Sequence, residues 1–404
     1  MSVRHPSRRR SVIALVLLAV VVTAMAVVIR NSGAGQPLVD PTAPPTQGLA
    51  GEPTLLVQVR DDGLTSVDNV VMGLDAGSER GSSLYLPQSL VVDLVEGRDE
   101  TLGLTGFKPI AEAGPLVAAQ TGVRVDDAFV LDRLAFAGLV DSVGGITLDI
   151  AEPLVIQDRW GTVVDVIPLG ERTLDGPQAA TYALYLGPSG SEDERQARFQ
   201  AVWEALLAAL PENPDQMRAI LASLGALSRS TNTLASLADF LTAAGEGVRS
   251  GGWTSENLPT RPGAYGPLPL DWVDPQPAET VVEQLFPSSL LAPDSPPIRV
   301  RVYQAGGVKA ELDEVRNRLV EAGFSFVWAG PGESRTESRI AVADPGQIPF
   351  GEEVAATLDL PASAVEVDQA ATPGTPVTLW FVADVAESTT ESAAPTATVT
   401  SSDR

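Results

Sequence analysis

The chain has no cysteine, and its single histidine, His5, stands among the N-terminal arginines. The first absence excludes a disulfide framework, thiol catalysis and thiolate metal sites. The second removes Ser-His-Asp hydrolysis and the usual zinc sites from everything beyond residue 5. Positive charge is scarce as well. Against 52 Asp and Glu there are 27 Lys and Arg, giving a formal net charge of -25 and a pI near 4.3. Such a chain repels phosphates, so it is not expected to bind nucleic acid by broad charge neutralisation. Its acidity suits a solvated surface outside a cell. At 404 residues and 44% hydrophobic content there is material for two or three domains with real cores.

Met1 to Arg10 carries Arg4, Arg8, Arg9 and Arg10, and Ser11 to Ile29 is then almost entirely apolar. That is close to the ~20 residues needed to cross a bilayer. Arginines before the span place a cytoplasmic tail at 1-10 and a transmembrane signal anchor at 11-30, with the bulk of the chain extracytoplasmic. Ala24-Met25-Ala26 has the form of a cleavage site, but Val27-Val28-Ile29 carries the apolar run past it, which suits an uncleaved anchor. Residues 31-51 are rich in Pro, Gly and Thr and read as a linker.

From Thr54 the pattern turns strand-like. Leu55 to Val59, Asp68 to Leu74 and Ser83 to Leu86 read as three strands, and Val91 to Val95 as an extension of the third. A helix over 111-121 and a strand over 128-131 follow. Alternating strands and helices predict an α/β domain with a central mixed sheet flanked by helices. Ser191 with Glu194 forms a capping-box signature at the start of a helix that Pro211 ends. Trp272-Val273 reads as a last strand and 278-286 as a covering helix. After a boundary at 287-297, Ile298 to Tyr303 alternates as a strand. A helix over 309-322 and five short elements complete a small α+β domain over 298-385. Residues 386-404, rich in Thr, Ser and Ala, read as a disordered tail. Trp160, Trp203, Trp253 and Trp272 are scattered and are expected to be buried.

One stretch organises the first domain. In LVDSVGGITLDI, Gly144-Gly145 divides an apolar helix end from an alternating strand. About twenty residues on, LGERTLDGPQAATYAL leads through an Asp-Gly-Pro turn into a helix of small residues. The pair resembles the centre of the LytR-CpsA-Psr domain, and the resemblance extends over roughly Thr54 to Phe286. VYQAGGVKAELDEVRNRLVEAGF, with Gln304 where asparagine is usual, resembles the LytR C-terminal domain. The first resemblance implies a membrane-anchored envelope protein whose active relatives transfer glycopolymer from a polyprenyl pyrophosphate carrier to the cell wall, with Mg2+ at the site. Asp68 matches the family's strand-opening aspartate, a metal-ligand and catalytic position, and Asp61 matches an acidic turn position. Arg195 and Arg198 match a paired-arginine helix. Separated by three residues, they share a helix face and could clamp a pyrophosphate. Read without the resemblance, they are surface arginines paired with Glu192 or Glu194.

Departures from the pattern are as informative. Active relatives carry Pro-Arg-Asp after the third strand, where this chain has Pro87-Gln88-Ser89. Leu184 and Leu186 stand where the family has two arginines. Losing one group that stabilises transition-state charge costs about 10²–10³ in rate, and several such losses compound. The expectation is therefore an envelope protein that binds polyprenyl-linked glycopolymer, peptidoglycan or an envelope partner, with catalysis impaired and Gln88, Leu184 and Leu186 lining the ligand site. The alternatives are a Mg-dependent phosphotransferase and a scaffold acting through its C-terminal domain.

Overall fold

In the computed structural model the described residues are 52-75, 80-188, 190-263, 269-309 and 311-383. The expected tail, anchor and first linker, and the C-terminal tail, lie outside them. Among the described residues no helix is long and apolar enough to cross a membrane.

The first domain opens with β1 (Thr54–Arg60), β2 (Ser66–Leu74), β3 (Gly81–Pro87), β4 (Val91–Val95) and β5 (Arg98–Thr101). Next come α1 (Ile110–Thr121), β6 (Asp127–Asp132), α2 (Arg133–Ser142), β7 (Ile146–Ile150), β8 (Leu154–Gln157), β9 (Val163–Ile167) and β10 (Gly170–Leu174). Helices α3 (Gly176–Leu184), α4 (Glu192–Ala209) and α5 (Pro214–Leu224) precede β11 (Ser228–Ser230), α6 (Leu234–Arg249), β12 (Trp253–Asn257), β13 (Thr260–Gly263), β14 (Leu270–Val273) and α7 (Pro275–Leu285).

The central sheet runs β11-β6-β1-β2-β3-β12 and is mixed: β1 is parallel to β6 and antiparallel to β2, and β3 is antiparallel to β2 and parallel to β12. All seven residues of β1 are buried because helices cover both faces. Strand alternation sends Leu55, Val57 and Val59 into a core with α2 to α6, and Leu56 into a second core with α1 and α7. Both halves of the organising motif meet in space, since Ile146 pairs with Leu174 and Ile150 with Gly170. Gly145 holds a left-handed φ of +89°, and a Cβ there would sit 2.8 Å from the Leu174 carbonyl oxygen. A Cβ on Gly176 would lie 2.1 Å from the Ala137 oxygen, so this glycine lets α3 close onto α2.

Two expectations are corrected. Val91 to Val95 does not extend β3; a turn closed by Leu90 N–H on Pro87 O (3.1 Å) redirects the chain, and β4 pairs with β5 instead. The expected last strand at Trp272-Val273 is present in β14, paired with β13 in a two-stranded hairpin, while β12 takes the edge beside β3. Trp160, at the tip of the β8-β9 hairpin, is 74% exposed rather than buried.

The second domain comprises β15 (Arg299–Gly306), α8 (Glu311–Glu321), β16 (Ser325–Pro331), β17 (Arg339–Val342), α9 (Ile348–Thr357), β18 (Val365–Val367) and β19 (Val377–Val382), with sheet order β16-β15-β19-β17-β18. It docks on the β4-β5 hairpin. Asp93 accepts two bonds from Arg316 (2.8 and 2.6 Å), and Asp99 accepts from the Trp328 indole (2.7 Å) and pairs with Lys309 (2.5 Å). Val91, Leu94 and Trp272 of the first domain enter the second domain's core.

Candidate active site

Asp68 follows the alternation of β2, so it shares the face of Val70 and Met72 that looks toward α4. Across the ladder it sits opposite Pro87, one residue before Gln88. Helix α4 starts at this end of the sheet. The expected capping box is present: Glu194 N–H donates to Ser191 Oγ (3.1 Å), and Ser191 N–H to Glu194 Oε2 (3.4 Å). Arg195 lies four residues before Phe199 and eight before Trp203, both buried, so it rides the inward stripe of the helix.

Arg195 is 2% exposed and Asp68 1%. The guanidinium Nη1 donates to Asp68 Oδ1, while Nε and Nη2 donate to Glu192 Oε2 at 3.0 and 2.7 Å. Glu192 in turn accepts from the Gln88 amide. The arginine is thus neither at the surface nor free, because two carboxylates of its own chain hold it. Burial pushes the Asp68 carboxyl up to about 7 in spite of Arg195, and its Oδ2 is buried without a hydrogen-bond partner. For Arg195 burial is also the largest influence and lowers it, but Asp68 and Glu192 together outweigh burial and leave it raised and charged.

Arg198 turns elsewhere. Its Nε donates to Tyr182 O (2.8 Å) and its Nη2 to Tyr185 O (2.5 Å), capping the carbonyl end of α3 where a cation is favoured by the helix dipole. The charges of both Arg195 and Arg198 favour the ionised form of Asp68, that of Arg195 more strongly. The same-face clamp read from their spacing is therefore split: one guanidinium is held by carboxylates and the other caps a helix. Asp61 is spent on its own turn, where Oδ1 accepts from Gly63 N–H (2.9 Å) and Thr65 N–H (2.8 Å). Leu184 is buried in the first core, and Leu186 is 36% exposed. The site therefore brings together Asp68, Arg195 and Gln88. It adds Glu192, which the sequence offered as a pairing partner for a surface arginine and which holds Arg195 in a buried cluster instead.

A magnesium ion on Asp68 does not fit these residues. Magnesium wants a near-octahedral set of oxygens. Among the described residues no group of three His, Cys, Asp or Glu could hold a metal. One Asp68 oxygen already faces a guanidinium, whose charge repels a dication.

Residues 111–254 match the model described as the LytR_cpsA_psr family, a span that contains both halves of the organising motif and α4. Over this span, about a third of its length, the chain is similar to the LytR-CpsA-Psr family. Asp61, Asp68 and Gln88 precede the matched span, while Leu184, Leu186, Arg195 and Arg198 lie within it. No curated protein matches the chain. Among solved structures, Bacillus subtilis TagV is similar at 17% identity and a TM-score of 0.49, covering 59% of this chain and 97% of that one. The LytR-Csp2A-Psr enzyme from Actinomyces oris is similar at 19% identity and 0.48, covering 61% and 95%. TagT bound to LI-WTA is similar at 15% identity and 0.47, again covering 61% and 95%.

Proposed function

We propose that this protein is a membrane-anchored, extracytoplasmic envelope protein whose LytR-CpsA-Psr domain holds a polyprenyl-linked glycopolymer or an envelope partner and is impaired in transfer. The observation that carries the reading is the internal neutralisation of Arg195 by Asp68 and Glu192. Expelling a pyrophosphate leaving group requires cations that meet charge as it develops. Here the guanidinium beside Asp68 is already satisfied in the resting protein, and Arg198 is committed to the end of α3. Opening the Arg195 cluster for a substrate would leave two carboxylates without their cation, at several kcal/mol. The replacements at Gln88, Leu184 and Leu186 remove further charge. The match of residues 111–254 to the family model supports a glycopolymer ligand at the cell wall, and the apolar run over 11-29 supports the anchor and the placement of the bulk outside the membrane.

The test is an assay of full-length protein in detergent with polyprenyl pyrophosphate and magnesium, comparing wild type with Arg195→Ala. No turnover above background in either, with polyprenyl-linked polymer recovered from the purified chain by mass spectrometry, is the expected result. Magnesium-dependent turnover lost in Arg195→Ala would show an active transferase. A purified chain free of such lipid and unable to bind it would point to a scaffold.

A further inference from the structure

The second domain contains an arginine and aromatic row that the first domain's site does not use. Arg339, Trp380 and Tyr303 are register partners across β17, β19 and β15, so they lie side by side on one face of the sheet. Tyr303 and Trp380 stack with ring centroids 5.7 Å apart at 14°. Arg261, from β13 of the first domain, lies over Tyr303 at 5.6 Å, and Arg335 and Arg339 lie over Trp380 at 5.2 and 4.9 Å. These side chains line a cleft of about 640 Å³ between the two domains.

The cations of this row are not equally committed. Arg339 is neutralised by Glu366 and Asp368. Arg335 has a single carboxylate nearby, Glu333 at 3.9 Å, and that side chain is 88% exposed. Arg261 donates to the Ala329 carbonyl (2.5 Å) and is in no ion pair among the described residues. A fourth guanidinium, Arg301, is buried and donates to the carbonyl of Pro373, itself a lining residue. Asp274 and Glu333 also line the cleft, so its rim is not uniformly positive. In a chain of net charge -25, one guanidinium with no ion pair among the described residues and one with only a long, solvent-exposed pair, oriented by stacking in one cleft, are free to meet negative charge from a ligand.

We propose that this interdomain cleft binds a phosphate-bearing ligand, held between Arg261 and Arg335. A tetrahedral phosphate offers acceptor oxygens to guanidinium groups from two walls at once, and arginine forks match that geometry. The inference stands apart from the reading of the Asp68 site. Its probe is pyrophosphate, titrated calorimetrically into the full-length protein in detergent. Saturable binding of one pyrophosphate per chain is expected, weakened about tenfold or more in Arg335→Gln and in Arg261→Gln. It should be unchanged in the Asp68→Asn/Arg195→Met double variant, and glucuronate should bind at least tenfold more weakly. Arg335 lies in the exposed connection between β16 and β17, so Arg335→Gln tests the site even if Arg261→Gln fails to fold. No saturable binding, binding untouched by Arg335→Gln, or binding lost only in the Asp68/Arg195 variant would overturn the assignment. Glucuronate matching pyrophosphate would overturn the choice of phosphate.

Discussion

Replacing Arg195 with methionine tests the buried cluster directly. The substitution keeps much of the side-chain volume and leaves Asp68, 1% exposed, without its ion-pair partner. Breaking a buried pair by removing one partner costs about 3–5 kcal/mol, because the remaining charge stays desolvated. For a domain of this size each kcal/mol lowers the melting temperature by about 2–4 °C, so Arg195→Met should fall by about 6–20 °C. The double variant Asp68→Asn/Arg195→Met removes both charges, and it should recover most of that loss. Glu192, with its side chain 21% exposed, can turn to water or keep its bond from Gln88. The assay is thermal and urea unfolding of the four proteins of the cycle at pH 8 and at pH 5. At pH 5 the penalty of the single variant should shrink, because a lone buried carboxyl takes up a proton. A single variant within about 1 kcal/mol of wild type at pH 8, or a double variant as unstable as the single, would refute the buried-pair argument.

Asp68 itself should make stability depend on pH. Its folded value of about 7 lies above the ordinary 3.8, so between these values the folded state keeps a proton that the unfolded chain has released. Stability should therefore fall as pH rises from about 4 to 7 and level off above, by at most about 4 kcal/mol from this group; Asp68→Asn should flatten the slope in urea titrations. Arg198→Ala should cost about 2 kcal/mol for the uncapped Tyr182 and Tyr185 carbonyls, with little change between pH 5 and 8. Arg198→Lys should rescue little of this, since an ammonium cannot span both oxygens, and the same unfolding curves check it. Asp93→Ala removes the fork to Arg316 and should speed amide exchange in α8 well before the first domain's strands respond.

Much of this arrangement could be read from residue order. The strands β1, β2 and β3 were legible because apolar runs bounded by Asp-Asp-Gly and Pro are hard to place otherwise. The capping box at Ser191 and Glu194 was equally plain. The continuation at Val91 was misread because an apolar pentamer looks alike in the main sheet and in a hairpin, and only the turn at Pro87 to Leu90 separates the two. Spacing put Arg195 and Arg198 on one face but did not say what that face meets. The count of four to Phe199 and eight to Trp203 carried the signal that Arg195 points inward. The partnership of Asp68 with Arg195, 127 residues apart, and the uptake of Arg198 by α3 depend on how layers close, which no local pattern encodes.

The intrusion of Val91, Leu94 and Trp272 into the second domain's interior ties the two halves to a common fate. A chain truncated before Ile298 would present these three side chains and an uncompensated Asp93 to water, an adhesive surface on an otherwise well-solvated protein. Expressing the first domain alone should therefore favour self-association over a clean monomer, and the shorter product would be a poor stand-in for the whole.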